Sequence, residues 1–128
     1  MGIKLVIVDD APFIREVLKQ IFAKSEIELI GEAQDGEEAV AMVRRLEPDV
    51  VLMDIVMPKK SGIQATAEIL KEFPKMKIIA CSTVDQNTML TKALEAGCCN
   101  YITKPFKAEE VLSAVSAAAR LNSKEVGI

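Results

Sequence analysis

The chain has 128 residues, of which 50% are hydrophobic and 27% charged, and its formal net charge is −3. This is the size and composition of one globular domain with its own core, and it excludes a disordered or fibrous chain. The acidic balance argues against direct nucleic-acid binding, and the absence of histidine excludes Ser-His-Asp, Cys-His and most zinc chemistry.

The first half of the chain alternates short apolar runs with helical patterns. Residues 3–8 predict a buried strand, and Asp10 and Pro12 then suit the N-cap and the first turn of a helix. The apolar residues expected on one face of this helix are Phe13, Ile14, Val17, Leu18, Ile21 and Phe22. Residues 28–33 predict a weaker strand at the edge of a sheet, and residues 37–46 predict a helix that ends before Pro48.

The second half repeats this alternation. The predicted strands are residues 49–53, 77–81 and 99–103, and the predicted helices are residues 61–72, 86–96 and 107–121. Strands that alternate with helices along the whole chain predict an α/β fold, with a parallel sheet covered by helices on both faces. We expect one domain over residues 1–122 and a frayed C-terminal tail over residues 123–128.

The targeting and redox signals of the sequence are those of a cytoplasmic protein. The opening MGIKLVIVDD is not a secretory signal, because its apolar stretch is short and ends in two acids, and no apolar run approaches the length of a membrane span. Cys81, Cys98 and Cys99 are odd in number and form no C-x-x-C motif. We therefore expect them to pack in the interior rather than to form disulfides or bind metal.

Polar side chains follow the predicted strands at their carboxyl ends. They are Asp9 and Asp10 after the first strand, Asp54 after the third, Ser82 and Thr83 after the fourth, and Thr103 and Lys104 after the fifth. In an open parallel sheet these ends share one edge, where ligands bind. Converging carboxylates need a counter-charge, which Mg²⁺ and Lys104 can supply. Because a carboxylate can attack phosphorus, the pattern favours phosphoryl transfer at this edge, assisted by the Ser82 hydroxyl.

The chain resembles the receiver domain of two-component response regulators, and most of all the single-domain regulators of chemotaxis. The shared motifs are VDDAPFIR, GEAQDGEEA, DVVLMDIVMPKKSG, IIACST and AGCCNYITKPF, and the resemblance covers residues 3–121. It implies a flavodoxin-like, doubly wound (βα)5 sheet with strand order 2-1-3-4-5. It also implies a signalling protein that catalyses only its own phosphotransfer and slow autodephosphorylation.

The resemblance assigns the metal site and the phosphoacceptor. Asp54 matches the phosphoacceptor and Asp10 the direct ligand of Mg²⁺, whereas Asp9 matches the ligand that acts mainly through water. The backbone carbonyl of Val56 matches a further metal ligand. The phosphodonor implied by the family is a partner histidine kinase, and any phosphohistidine must belong to that partner because this chain has no histidine.

The resemblance also assigns a phosphate-binding and switching group. Lys104 matches the lysine that pairs with the phosphate, and the Lys104–Pro105 peptide bond is implied to be cis. Ser82 matches the hydroxyl that moves toward the phosphoryl group, and Tyr101 the aromatic side chain that turns inward with it. Thr83 departs from the commoner Ala and is expected to narrow access to the phosphate. The implied output surface is formed by the fourth helix, fifth strand and fifth helix, and its target in chemotaxis is the flagellar motor switch.

Four alternative functions remain open from the sequence. A small phosphatase with an Asp nucleophile would need a second acid where Val56 stands, because the leaving group must be protonated. A phosphorylation-independent binding module would be expected to have a damaged acidic site. The chain could be a receiver excised from a multidomain regulator. An FMN-binding protein would want aromatic walls, and this chain has one Tyr, four Phe and no Trp. Within the receiver interpretation we expect a monomer, with a separate phosphatase as an optional partner.

Overall fold

The computed structural model describes residues 2–121, in which strands and helices alternate along the chain. The strands are β1 (Ile3–Val8), β2 (Ile27–Ala33), β3 (Val50–Asp54), β4 (Lys77–Ser82) and β5 (Asn100–Thr103). The helices are α1 (Pro12–Ala23), α2 (Gly36–Leu46), α3 (Gly62–Glu72), α4 (Asn87–Ala96) and α5 (Ala108–Arg120). The strand and helix predictions are confirmed, with bounds that shift by a residue or two. The expected tail over residues 123–128 lies outside the described residues.

The strands form one parallel sheet in the order β2-β1-β3-β4-β5. This confirms the flavodoxin-like, doubly wound fold and places β2 at an edge. The strand order reverses direction between β1 and β3, so a crevice forms beyond the carboxyl ends of these two strands. The pairing of β1 with β2 slips by one residue, since Leu5 pairs with Leu29 but Val6 pairs with Gly31.

Two apolar layers hold the helices to opposite faces of the sheet. Alternate residues of the central strands point to each face, as the pleat of a strand requires. Helices α2, α3 and α4 cover one face, where Val40, Ile69 and Ala93 are buried. Helices α1 and α5 cover the other, where Phe22 and Val115 are buried. Both faces of the central strands are therefore dry, which explains why β1, β3 and β4 appear in the sequence as nearly continuous apolar runs.

Local capping residues set the ends of several helices. The Asp35 carboxylate accepts a hydrogen bond from the Glu38 N–H at the start of α2. Ser61 and Gln64 form a reciprocal capping box at the start of α3. Gly97 ends α4 with a φ of +120°, a conformation that favours glycine.

The sequence-based prediction for the start of α1 is wrong in two respects. The N-cap is Ala11, which makes no side-chain cap, with Pro12 in the first turn as predicted. Asp10 is therefore not the cap, and the carboxylate of Asp9 accepts the Ala11 N–H instead. Phe13 was expected on the buried face, but it lies in the first turn of α1 and is 74% exposed.

The cysteines are free thiols among the described residues, as expected. Cys81 and Cys98 are buried and Cys99 is half-buried. Burial raises the pKa of the Cys81 thiol, and it raises the pKa of Cys98 to about 11, so both resist ionisation. Among the described helices, none is both long enough and apolar enough to cross a membrane.

Candidate functional site

Three carboxylates meet at the carboxyl edge of the sheet because β1 and β3 are neighbours. Their register pairs Val8 with Met53, so the next residue on each strand places Asp9 beside Asp54. One carboxylate oxygen from each of Asp9, Asp10 and Asp54 lies within 4.8 Å of the others. Asp9 and Asp54 are only 2% and 5% exposed, whereas Asp10 is exposed to solvent. The carboxylates thus line one pocket that opens to water on the Asp10 side.

Lys104 is the cation nearest to these acids. It follows β5, and its Nζ lies 2.8 Å from Asp9 Oδ2 and 3.6 Å from Asp54 Oδ2. Burial by itself would lower the pKa of Lys104, but its hydrogen bond to Asp9 and the charge of Asp54 together raise it. The Lys104 N–H donates to the Ser82 carbonyl at 2.7 Å, and the Lys104–Pro105 bond is cis, as the resemblance implies. The contacts of Nζ with Asp9 and Asp54 place the positive charge of the ammonium group among the carboxylates.

The pocket carries more negative charge than its lysine neutralises. Burial, and then the charge of Asp9, raise the pKa of Asp54 from its ordinary value of 3.8 to about 6, although Lys104 opposes the shift. A group of hard carboxylate oxygens, partly open to water, is the donor set that Mg²⁺ prefers. The residues present therefore fit a divalent cation, and a bound cation would bring the pKa of Asp54 down again.

Val56 and Val84 are apolar residues that follow Asp54 and Ser82 by two positions each. The Val56 N–H points back at Asp54 Oδ1 at 3.4 Å, which places residue 56 directly against the candidate nucleophile. The side chains of Val56 and Val84 are 44% and 75% exposed. Neither side chain carries an atom that can hydrogen-bond a water molecule, so neither side chain could orient an attacking water.

The predicted switch residues lie on β4, β5 and the loop between β4 and α4. Ser82 ends β4 and is only 1% exposed, and its carbonyl oxygen accepts the N–H of Lys104. Thr83 lies in the loop before α4, where its N–H donates to Gln86 Oε1 at 2.9 Å and its hydroxyl contacts Asp85. Tyr101 is 47% exposed and lies on the outer side of β5. The structure thus buries Ser82 at the carboxyl end of β4 and leaves Tyr101 at the surface.

Gly62 is a residue of the site that the strand-end pattern did not reveal. A Cβ added to Gly62 would lie 2.0 Å from the carbonyl oxygen of Asp54 and 2.8 Å from Ile55 Cα. Only glycine allows the first turn of α3 to approach the backbone of the candidate phosphoacceptor this closely. The one signal in the sequence was a glycine near the start of the helix predicted over residues 61–72.

Comparison with known proteins gives a consistent result. The chain matches the family described as "Response regulator receiver domain" over residues 5–116. It is 44% identical to the chemotaxis protein CheY of Thermotoga maritima over 120 residues, which cover 94% of this chain and 100% of that protein. It is also 34% identical to the crystal structure of the response regulator domain of T. maritima CheB, with a TM-score of 0.87 and coverage of 95% and 99%.

A third similarity concerns a complex that contains a metal. A chain in the crystal structure of the CheX-CheY-BeF3-Mg²⁺ complex from Borrelia burgdorferi is 32% identical, with a TM-score of 0.84. The match covers 90% of this chain and 87% of that one. Protein chains similar to this one therefore occur both as receiver domains of larger regulators and as chemotaxis proteins.

Proposed function

We infer the function from one premise: this chain belongs to the family of response regulator receiver domains. Members of this family are signalling proteins rather than classical enzymes. We propose that Asp54 accepts a phosphoryl group from a phosphohistidine of a partner kinase, in a reaction that needs Mg²⁺. The observation that carries the proposal is the convergence of Asp9, Asp10 and Asp54 in one pocket with the Lys104 ammonium group.

The proposed metal site uses side chains from two strand ends. Asp10 and Asp54 would bind the ion directly, Asp9 would act mainly through water, and the Val56 carbonyl would complete the protein ligands. The support for this assignment is the shared 4.8 Å cluster of carboxylate oxygens, together with the pKa of Asp54, which burial and then the charge of Asp9 raise. When bound, Mg²⁺ would neutralise charge on the phosphoryl oxygens and on the carboxylates around them.

The proposed transfer is a displacement at phosphorus. A carboxylate oxygen of Asp54 attacks the phosphorus atom, an O–P bond forms, and the P–N bond to the partner imidazole breaks. The bonding electrons return to the imidazole nitrogen, which takes a proton on leaving. Lys104 pairs with a phosphoryl oxygen and offsets the new charge of about −1.5 to −2. Burial of Asp9 and Asp54 keeps bulk water from competing with these charges.

Phosphorylation would then act on a switching surface. The Ser82 hydroxyl would move to bond the phosphoryl group, and Tyr101 would turn its ring into the space left behind, with Thr83 limiting access to the site. This change favours one of two conformations of the surface formed by α4, β5 and α5. The support is the burial of Ser82 beside the pocket together with the exposure of Tyr101 on the neighbouring strand.

The proposed biological role is chemotaxis signalling from kinase to motor. The chain is 44% identical to a CheY protein, and the match covers the whole of that protein. This similarity favours a stand-alone cytoplasmic monomer whose target is the flagellar motor switch. A receiver domain of a multidomain regulator is the second candidate, favoured by the similarity to the response regulator domain of CheB. In either case residues 1–122 would form the receiver domain, and a separate phosphatase would act on its phosphorylated form.

A small donor with a P–N bond tests the proposed chemistry without knowledge of the kinase. The purified chain would be incubated with phosphoramidate, with and without Mg²⁺, and the phosphorylated fraction separated by phosphate-affinity electrophoresis. We expect a phosphorylated band that needs Mg²⁺ and is absent from Asp54→Asn. Asp49→Asn is the matched control, because Asp49 lies at the opposite edge of the sheet, where it accepts the Lys4 N–H. Phosphorylation of Asp54→Asn at the wild-type level would contradict the proposal.

A further inference from the structure

A charged network outside the carboxylate pocket joins α1 to β2 and ends on the backbone of Asp9. Glu32 of β2 accepts Arg15 Nε at 3.0 Å and Lys19 Nζ at 2.6 Å. The second arm of the same guanidinium, Nη1, donates to the backbone carbonyl of Asp9. The Arg15 side chain is only 16% exposed, so it is packed against the protein rather than loose in solvent.

The carbonyl that Arg15 binds belongs to the peptide bond between Asp9 and Asp10. The Asp9 carbonyl and the Asp10 N–H are part of one planar group, so fixing the carbonyl also fixes the direction in which Asp10 leaves the strand. That peptide joins the two acids that would bind the metal from this strand. The guanidinium is rigid and planar, so its hold on Glu32 determines the angle from which Nη1 reaches the carbonyl.

The other polar atoms of Asp9 are already held by the fold. Its N–H donates to the Ala33 carbonyl at 3.0 Å, Oδ1 accepts the Ala11 N–H at 2.9 Å, and Oδ2 accepts Lys104 Nζ at 2.8 Å. Arg15 supplies the contact to the remaining polar atom, the carbonyl oxygen. A hydrogen bond from a charged donor is stronger than a neutral one, so this contact limits rotation of the Asp9–Asp10 peptide more than a water molecule would.

We propose that Arg15, held by Glu32, is a positioning residue that pre-orients the Asp9–Asp10 peptide for Mg²⁺ binding. The inference rests on the proposed function, because it concerns the metal site assigned there. This positioning role predicts a different effect on Mg²⁺ affinity from that of the Arg15 charge alone. A guanidinium beside a cation site repels the incoming cation, so removing its charge alone would tighten Mg²⁺ binding. Loss of positioning weakens binding instead, and the two effects therefore have opposite signs.

Arg15→Met tests the proposal, with Lys19→Met as its matched control. Both variants remove one positive charge bound to Glu32, but only Arg15 contacts Asp9. The Mg²⁺ dissociation constant would be read from amide chemical shifts of Ala11 and Val56, whose N–H groups face Asp9 and Asp54. We expect Arg15→Met to bind Mg²⁺ about tenfold more weakly than the wild type. This is the low end of the loss in metal affinity that follows when a residue that orients metal ligands is replaced. Lys19→Met should bind at wild-type strength or slightly more tightly.

Arg15→Lys keeps the test decisive if Arg15→Met does not fold. This variant retains the charge but lacks the planar fork, so positioning predicts weaker Mg²⁺ binding and electrostatics predicts no change. Urea unfolding of each metal-free variant would measure its free energy of unfolding. If Arg15 only stabilised the fold, the loss of Mg²⁺ affinity would parallel the loss of this free energy across the variants. Wild-type affinity in folded Arg15→Met or Arg15→Lys would overturn the inference and leave the proposed function intact. Absence of saturable Mg²⁺ binding in the wild type would instead overturn the proposed function.

Discussion

At the scale of single residues, the electrostatic state of Asp54 is set by where the strand ends. Burial and the Asp9 carboxylate both oppose its ionisation, and the Lys104 ammonium only partly compensates. Near neutral pH the metal-free protein therefore holds a charged Asp54 at an energetic cost. This cost would be relieved when a divalent cation enters the pocket, which couples metal binding to stability.

This cost predicts a pH-dependent stability difference between the wild type and Asp54→Asn. The folded-state pKa of about 6 lies above the ordinary 3.8, so the folded protein binds the proton more tightly than the unfolded chain does. The stabilisation by this proton is complete below the lower pKa and is lost as pH rises through about 6. Without Mg²⁺, Asp54→Asn should thus be more stable than the wild type by about 1–3 kcal/mol above neutral pH.

Urea unfolding of both proteins across this pH range measures the effect. The difference between them should shrink as the solution becomes more acidic, because the wild-type carboxyl group is then protonated. Asp49→Asn serves as the control, since it removes an acid that is remote from the pocket. A stability difference between the wild type and Asp54→Asn that does not vary with pH would contradict the assigned pKa.

The apolar rim of the pocket predicts a long-lived acyl phosphate. The Val56 N–H faces Asp54 Oδ1, Val84 follows Ser82 by two positions, and neither apolar side chain can orient a water molecule for hydrolysis. Val56→Asn supplies a polar group at that position, so the phosphorylated protein should decay several-fold faster. The decay would be followed by intact mass after removal of the small donor. Leu94→Asn on α4 is the control for replacing an exposed apolar residue, and an unchanged half-life in Val56→Asn would reject this prediction.

The acids were predictable from the sequence because strand ends are visible as the ends of apolar runs. Asp9 and Asp54 follow such runs directly, Lys104 follows the predicted fifth strand, and a parallel sheet brings those strand ends together. The cap at α1 was not predictable, since Asp9 and Asp10 are adjacent acids and only the three-dimensional path decides which one meets the Ala11 N–H. The Arg15 contact was also invisible, because it depends on the angle between α1 and β2.

At the scale of elements, the site depends on how closely α3 approaches the end of β3. Gly62 leaves no room for a side chain against the Asp54 carbonyl and Ile55 Cα, and both of these are backbone atoms that cannot turn aside. We therefore expect Gly62→Ala to lower the free energy of unfolding by about 1–3 kcal/mol or more. It should also weaken Mg²⁺ binding, because the displaced atoms belong to Asp54 itself.

Gly31→Ala provides the comparison for Gly62→Ala. A Cβ at Gly31 would meet Met42 Sδ at 2.6 Å and Leu46 Cδ1 at 3.0 Å, which are the ends of flexible side chains. Gly31→Ala should lower the free energy of unfolding by less than Gly62→Ala does. It should leave Mg²⁺ affinity unchanged, since β2 is an edge strand. Urea unfolding and Mg²⁺ titration of both variants would measure this. Equal Mg²⁺ affinity in Gly62→Ala and the wild type would show that the close approach does not shape the site.

The surface formed by α4, β5 and α5 predicts an optical signal on phosphorylation. Tyr101 is the only tyrosine and the chain has no tryptophan, so intrinsic fluorescence reports on this side chain alone. Its ring is 47% exposed, and inward rotation should reduce quenching by iodide. In Ser82→Ala, phosphorylation should proceed but the change in quenching should be lost, because the hydroxyl that couples pocket to surface is absent. Equal quenching before and after phosphorylation of the wild type would contradict the switch.

The elements themselves were largely predictable, and their exact ends were not. Hydrophobic periodicity placed all the strands and helices because both faces of the central sheet are dry. The prediction for α1 failed at Phe13, since a periodic pattern does not show which residues of the first turn the rest of the fold covers. The one-residue slip in the pairing of β1 with β2, after Leu5, could not be predicted either, because register between strands is a tertiary property.

At the scale of the whole molecule, the proposed phosphorylation site and the proposed output surface lie on different parts of one sheet. The carboxyl edge gathers the acids, Lys104 and Ser82, and the β5 side carries Tyr101 and the proposed output surface. Ser82 and Thr103 are paired neighbours on β4 and β5, so movement at the pocket has a short path to that surface. This arrangement explains how a small domain could convert a new charge at one residue into a change of shape elsewhere.

The most direct test of the central claim is to locate the phosphoryl group. The protein would be phosphorylated with acetyl phosphate and Mg²⁺, reduced with borohydride to trap the acyl phosphate, and mapped by peptide mass spectrometry. We predict that the modified residue is Asp54 and that no trapped product forms without Mg²⁺. A trapped product at another acid, or efficient trapping in the absence of Mg²⁺, would contradict the account.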